Sequence, residues 1–347
     1  MSRVVKYDIL RVAACFSIVL LHVSASYWSV VDVQGRDFLV MTVYNSVTRF
    51  AVPVFFMLSG LFLVAPERKN VTVGKRVLKL VLLFYVWSAF YAFQGIAVDT
   101  LRGEFSMEVF RAAVERFVFG HIHMWFLQIL CGLYLLIPVA RQISAKKETL
   151  RYYLILWIVF RFLVPTVTDA FGLTTFQARI DSLGLDILVG NFGYFLLGYY
   201  LSITDITKKV RWCIYAMGMV SLILTPYLTV QDCRKSHAYV ERWFSPGSLN
   251  VLIMTIAVFV CFQYCKAFEQ VRRVQLWGML SRYTFFVYMF HLFVLEKLNL
   301  VGITTVSYPA VVSIPVMTVF IFTVSLFGAF VADHIPFVRK IVMLHAS

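Results

Sequence analysis

The sequence predicts an all-α integral membrane protein of about ten transmembrane helices with both termini in the cytoplasm. Three observations carry that expectation. Of 347 residues, 61% are hydrophobic and only 14% charged, and the mean hydropathy is +0.80. Soluble domains are nearer half apolar and a quarter charged. Apolar runs close to 20 residues recur from end to end, each long enough to cross about 30 Å of hydrocarbon. Basic residues also alternate between successive loops. One alternating set of segments holds twenty of them and the other nine, with Arg11, Arg49 and Arg161 inside the spans. The positive-inside rule then puts both termini in the cytoplasm. A β-barrel would show short alternating strands, and none is evident in the sequence.

The spans fall near 8–28, 38–64, 77–98, 123–140, 150–168, 184–203, 211–230, 248–266, 281–298 and 308–331. The first could pass for a secretory signal, but no small-residue cleavage site precedes Tyr27-Trp28, so it reads as a retained helix. The whole chain, 1–347, reads as a single transmembrane domain with no soluble unit or linker. Its net charge of +14 is therefore largely topological. That charge suits anionic lipid head groups and an anionic cytoplasmic substrate. Nucleic acid is excluded as a partner, because no segment is large enough to build a soluble basic face.

Span 1 carries the first chemical signal. Arg11 and His22 bound ten uncharged residues, "VAACFSIVLL". Eleven residues at 100° each make three turns plus about 20°, so both side chains share one face about 16 Å apart along the axis. Arg11 falls near the cytoplasmic boundary and His22 past mid-membrane. Snorkelling accounts for an arginine there, and a packed, hydrogen-bonded core accounts for a histidine. A buried charge costs on the order of 2.5–3.5 kcal/mol, which also makes such residues functional candidates.

Span 2, "RFAVPVFFMLSG", places Arg49 inside an apolar run, with Pro53 expected to disturb the helix and Ser59-Gly60 nearer the cytoplasm. The outer segment 99–122 has apolar residues at helical spacing (Met107, Phe110, Val114, Phe117, Val118). It reads as a short amphipathic helix at the outer surface or as a plain connector. His121, His123 and Trp125 open span 4 at the outer boundary, where they suit interfacial anchoring. A His-x-His pair with no third ligand in the sequence makes a poor metal site. Arg161 in span 5 is within reach of Asp186 near the outer end of span 6. In span 9, Tyr288 and His291 are three apart and share a helix face. Cys261 and Cys265 are one turn apart, with no histidine nearby, and read as small buried apolar side chains. No metal site is expected. Buried histidines and arginines of this kind suit proton-coupled transport. They equally suit acyl transfer, with histidine as base and arginine binding an anionic donor.

Four stretches carry a family resemblance. "YDILRVAACFSIVLLH", with Asp8, Arg11 and His22, resembles the first helix of the membrane acyltransferase-3 family. "RFAVPVFFMLSG" is similar to that family's second-helix motif, "HMWFL" to its His-x-Trp-Phe-Leu motif, and "SRYTFFVYMFH" to its late Ser…Tyr-x-x-His helix. They occur in the family's order over residues 8 to 291. The likeness is greatest to stand-alone members that O-acetylate surface glycans, and no appended SGNH-type or racemase domain is expected after span 10.

The resemblance implies a bacterial inner-membrane O-acetyltransferase. Such an enzyme moves acetyl from cytoplasmic acetyl-CoA to a hydroxyl of an extracytoplasmic or lipid-linked glycan, with acetyl-CoA as co-substrate and no tightly bound cofactor. His22 would be the catalytic base or a transient acyl carrier, and Arg11 would hold CoA phosphate. Arg49 and Ser59 become candidates for the donor channel or oxyanion, and His123, Trp125, Tyr288 and His291 for the acceptor side. Succinyl transfer, and transport of a glycan or small molecule without acyl transfer, are the alternatives. No internal repeat of the kind many transporters carry is evident.

Overall fold

The computed structural model describes residues 4–67, 72–185, 188, 190–268, 271 and 273–342. The chain is an all-α integral membrane protein. Its helices are α1 (Val5–Ala25), α2 (Arg36–Val47), α3 (Ala51–Leu63), α4 (Val73–Leu101), α5 (Met107–Phe119), α6 (Trp125–Leu135), α7 (Ile137–Ser144) and α8 (Lys147–Ile158). They continue as α9 (Val164–Phe171), α10 (Thr174–Asp181), α11 (Phe192–Ser202), α12 (Lys208–Ser236), α13 (Leu249–Tyr264), α14 (Val274–Leu300), α15 (Ala310–His334) and α16 (Pro336–Val342).

Prolines explain most departures from ten unbroken spans. The second span is two helices separated at 48–50, so the break comes at Arg49, just before Pro53. Proline crowds the turn that precedes it, and the chain restarts its helix there. The fourth span bends by 58° between α6 and α7, with Pro138 in the first turn of α7. In the fifth, a π-helical turn, Val159–Leu163, carries Arg161 immediately ahead of Pro165. Such turns arise where the regular ladder is interrupted.

Among the described residues, eight helical segments are long and apolar enough to cross a membrane, or nine if the bent α6–α7 pair is one span. Of the expected span 184–203, residues 192–202 form α11, whose 11 residues extend about 16 Å, while 186, 187 and 189 lie outside the described residues. Protein covers this short helix almost entirely. Gly198 and Gly60 make that possible. A Cβ on Gly60 would run into the Phe195 carbonyl, and one on Gly198 into the Met57 carbonyl. Small residues at such a crossing let two helix backbones meet.

Helices α1 and α14 lie side by side in the same direction. Arg11 Nη1 donates to Ser281 Oγ at 3.1 Å, Cys15 Sγ to the Thr284 carbonyl at 3.4 Å, and the His22 and His291 rings are 5.1 Å apart. Parallel packing of two spans requires an odd number of crossings between them. Five of the eight long spans lie there. If the bent pair crosses as a sixth, a seventh is needed, and α11 is the element that fits. It runs beside α13 in the same sense: Tyr194 donates to the Pro246 carbonyl at 2.7 Å, and Gln263 Nε2 to the Leu201 carbonyl at 2.8 Å.

Helix α5 forms within the expected amphipathic segment. Ser106 caps it by accepting from the Val109 amide at 3.3 Å. Met107, Phe110, Val114, Phe117 and Val118 stay exposed, as a surface-lying helix requires.

Candidate active site

Two polar regions lie at the two ends of the α1 stripe. At the first, Arg11 reaches Ser281 at the start of α14 and lies over the Phe62 ring at 5.4 Å. Ser59, on α3, donates to the Phe55 carbonyl at 2.9 Å. The buried Tyr134 hydroxyl of α6 is within hydrogen-bonding reach of Ser59 and feels the charges of Arg76 and Arg11. This end therefore gathers two guanidinium groups, Arg11 and Arg76, with the hydroxyls of Ser59, Tyr134 and Ser281.

The second region is built from imidazoles. His22 comes from α1, His291 from α14, and His121 and His123 from the turn between α5 and α6. That turn needs Gly120. Its φ of +82° favours glycine, and a Cβ there would press on the Phe84 ring at 2.8 Å. The ring centroids of His22 and His291 are 5.1 Å apart, those of His123 and His291 5.6 Å, and those of His22 and His123 6.5 Å. His121 Nδ1 lies 3.1 Å from His123 Nδ1, and His121 Nε2 lies 2.9 Å from Glu296 Oε1. Tyr91 of α4 stacks on His121 with centroids 4.2 Å apart, and its hydroxyl donates to the Met289 carbonyl at 2.7 Å. Tyr288 donates its hydroxyl to the His123 carbonyl, which holds the histidine turn against α14.

His123 and His291 are fully buried, and among the described residues the Nε2 of each has no hydrogen-bond partner. His291 Nδ1 lies 3.1 Å from the Val287 carbonyl. Since a carbonyl only accepts, that nitrogen carries the proton and Nε2 holds a lone pair. His22 is only half-buried, and neither ring nitrogen takes a hydrogen-bond partner among the described residues. Among the described residues, no group of three or more His, Cys, Asp or Glu side chains is placed to hold a metal ion.

The expected residues divide between these ends. His22, His123, Tyr288 and His291 converge. Arg11 and Ser59 lie at the far end. Arg49 splits from Ser59: its guanidinium sits 4.1 Å over the Phe244 ring and donates to the Phe244 carbonyl at 3.4 Å, close enough to His22 to act on it electrostatically. Trp125 is 40% exposed and stands outside the cluster, because Trp125 begins α6 one turn beyond the histidine loop. Arg161 packs against Gly247 and Tyr194, and its expected partner Asp186 lies outside the described residues. His121 is a member of the cluster and not merely an interfacial anchor. Glu296 and Tyr91 were missed. Glu296 had a signal, a carboxylate inside an apolar span. Tyr91 had none, being one of 18 tyrosines.

Residues 4–334 match the model of a protein family described as an acyltransferase domain, acyltransferase-3. The chain belongs to the acyltransferase-3 family. Searches of curated proteins and of solved structures returned no match. Within an acyltransferase, the two polar regions on one helix stripe take on distinct meanings. Clustered guanidinium groups suit an anionic donor, and clustered neutral imidazoles suit proton abstraction or transient acylation.

Proposed function

We propose that this membrane acyltransferase is an O-acetyltransferase of a bacterial inner membrane, with both termini cytoplasmic. It would move acetyl from cytoplasmic acetyl-CoA to a hydroxyl of an extracytoplasmic or lipid-linked glycan. It would be of the type of the enterobacterial common antigen O-acetyltransferase. The observation that carries the reading is His22: an imidazole with no hydrogen-bond partner among the described residues, on one face of α1 with Arg11 and about 16 Å from it. In this reading Arg11 pairs with CoA phosphate, and the pantetheine arm extends along the stripe toward His22. The acceptor oxygen attacks the acyl carbon, either of the thioester or of an acyl group resting on His22. The thiolate leaves with the C–S electron pair and collects a proton from the cytoplasmic side. Arg49, near His22, offsets the oxyanion charge that develops on the carbonyl oxygen.

The test is mass spectrometry of cell glycans from strains carrying the wild-type gene, a deletion and His22→Ala. Acetyl should be lost from one glycan hydroxyl in both altered strains. Glycans identical in all three strains would overturn the reading. Loss of succinyl would redirect it to succinyl transfer, for which Arg49 beside His22 supplies the extra cation. Substrate accumulation by proteoliposomes in the absence of any acyl donor would favour transport.

A further inference from the structure

Glu296 and His121 have no part in the reaction as drawn so far, yet they are coupled to its centre. Glu296 is 38% exposed at its side chain and His121 14%, while His123 is buried at 1%. The three therefore form a line from the surface inward: carboxylate, imidazole, imidazole, at 2.9 and 3.1 Å. Their hydrogen-bond chemistry fixes a direction. A carboxylate only accepts, so His121 Nε2 carries a proton and donates it to Glu296. With a single proton on the His121 ring, Nδ1 is a lone pair that accepts the proton on His123 Nδ1. That leaves His123 Nε2 as a lone pair, and among the described residues this buried nitrogen has no hydrogen-bond partner. The Met289 carbonyl lies beside the His123 ring and accepts the Tyr91 hydroxyl at 2.7 Å.

We propose that Glu296, His121 and His123 form the acceptor-side proton path, with His123 Nε2 as the base and Glu296 as the exit. The proposal rests on the O-acyltransferase reading and deepens it. The acceptor hydroxyl gives its proton to His123 Nε2, and the O–H electron pair forms the new bond to the acyl carbon. His123 Nδ1 passes its proton to His121 Nδ1, and His121 Nε2 passes its own to Glu296, which releases it to water. The acyl carbon parts from its leaving atom, sulfur or the His22 nitrogen, which keeps the electron pair. His22 is thereby relieved of the acceptor proton and is free to handle the acyl group. His123 acts on the substrate. His121 and Glu296 act through it, as positioning and proton-carrying residues.

The experiment uses inside-out membrane vesicles, which present the cytoplasmic face to added acetyl-labelled acetyl-CoA and carry the cell's own glycans. Glu296→Gln keeps an acceptor for His121 but cannot take a proton. It should lower the rate of glycan labelling roughly 100-fold, the low end for a positioned acid or base, with the acetyl-CoA KM unchanged. Glu296→Asp should recover part of the rate. Glu296→Ala should respond to added formate, and His121→Ala to added imidazole, since a small base restores a missing proton carrier and not a damaged fold. A wild-type rate in Glu296→Gln overturns the proposal. So does a loss that appears as a raised acetyl-CoA KM, or one that neither Asp nor formate relieves. If wild type labels no glycan above a deletion strain, the acyltransfer reading itself has failed, which is a separate result.

Discussion

The two ends of the α1 stripe differ in how their polar groups are held. At the Arg11 end each group has a fixed partner: Arg11 on Ser281 at 3.1 Å, Ser59 on the Phe55 carbonyl at 2.9 Å. At the His22 end, His22 takes no hydrogen bond among the described residues, and two further imidazoles each keep an unpartnered Nε2. A guanidinium is always charged and must stay solvated or paired. An imidazole can be buried neutral with one nitrogen left as an acceptor. On the proposed reading the contrast corresponds to two jobs, holding an anion and moving a proton, about three helical turns apart.

The sharpest way to break that contrast is to remove the open imidazole. His22→Ala should lower the turnover rate by about 10²–10⁴-fold, the range of a positioned acid, base or nucleophile. The acetyl-CoA KM should stay near its wild-type value, because the donor is gripped at the other end. Initial rates against acetyl-CoA concentration check both numbers. Arg11→Ala should do the opposite. Losing one charge-assisted contact to phosphate, about 1.5–3 kcal/mol, raises the acetyl-CoA KM roughly 10- to 150-fold. A KM change in His22→Ala, or a pure rate change in Arg11→Ala, would erase the division of labour.

The distance between the ends also depends on α3, which carries Phe55 toward one end and Phe62 toward the other. Gly60→Ala drives a Cβ into the Phe195 carbonyl, which is backbone and cannot swing aside. Overpacking of this kind costs about 1–3 kcal/mol. The variant should show a lower thermal midpoint in detergent and lose activity at both ends together, unlike either substitution above.

How much of this was legible in the sequence follows from where each partner lies in the chain. Arg11 with His22, and Tyr288 with His291, are each pairs on one helix, and helical arithmetic alone puts each pair on one face. The meeting of α1, α14 and the 120–124 turn is tertiary, so no spacing rule reaches it. His121 and His123 were visible as a pair, but only Gly120 and the docking of Tyr288 turn them inward. The spans depart from unbroken helices for a local reason. Helical length follows apolar run length only where no proline interrupts, and Pro53, Pro138 and Pro165 each do. The short α11 is stable because protein, rather than lipid, covers it.

The smallest expected effect concerns Trp125, which the sequence placed with the acceptor-side residues and the structure leaves outside the imidazole cluster. Its ring is 40% exposed and begins α6 at the level where amphipathic aromatics anchor helices. Trp125→Phe keeps an aromatic at that level and removes only the indole N–H. An exposed change of this size is worth about 0.5 kcal/mol or less, so the glycan-labelling rate should stay within about twofold of wild type. A tenfold fall in rate would mean that the acceptor passes over this ring on its way to His22. The acceptor region would then extend from the buried imidazoles to the outer rim of α6, and the contrast between the two ends would be one of size as well as charge.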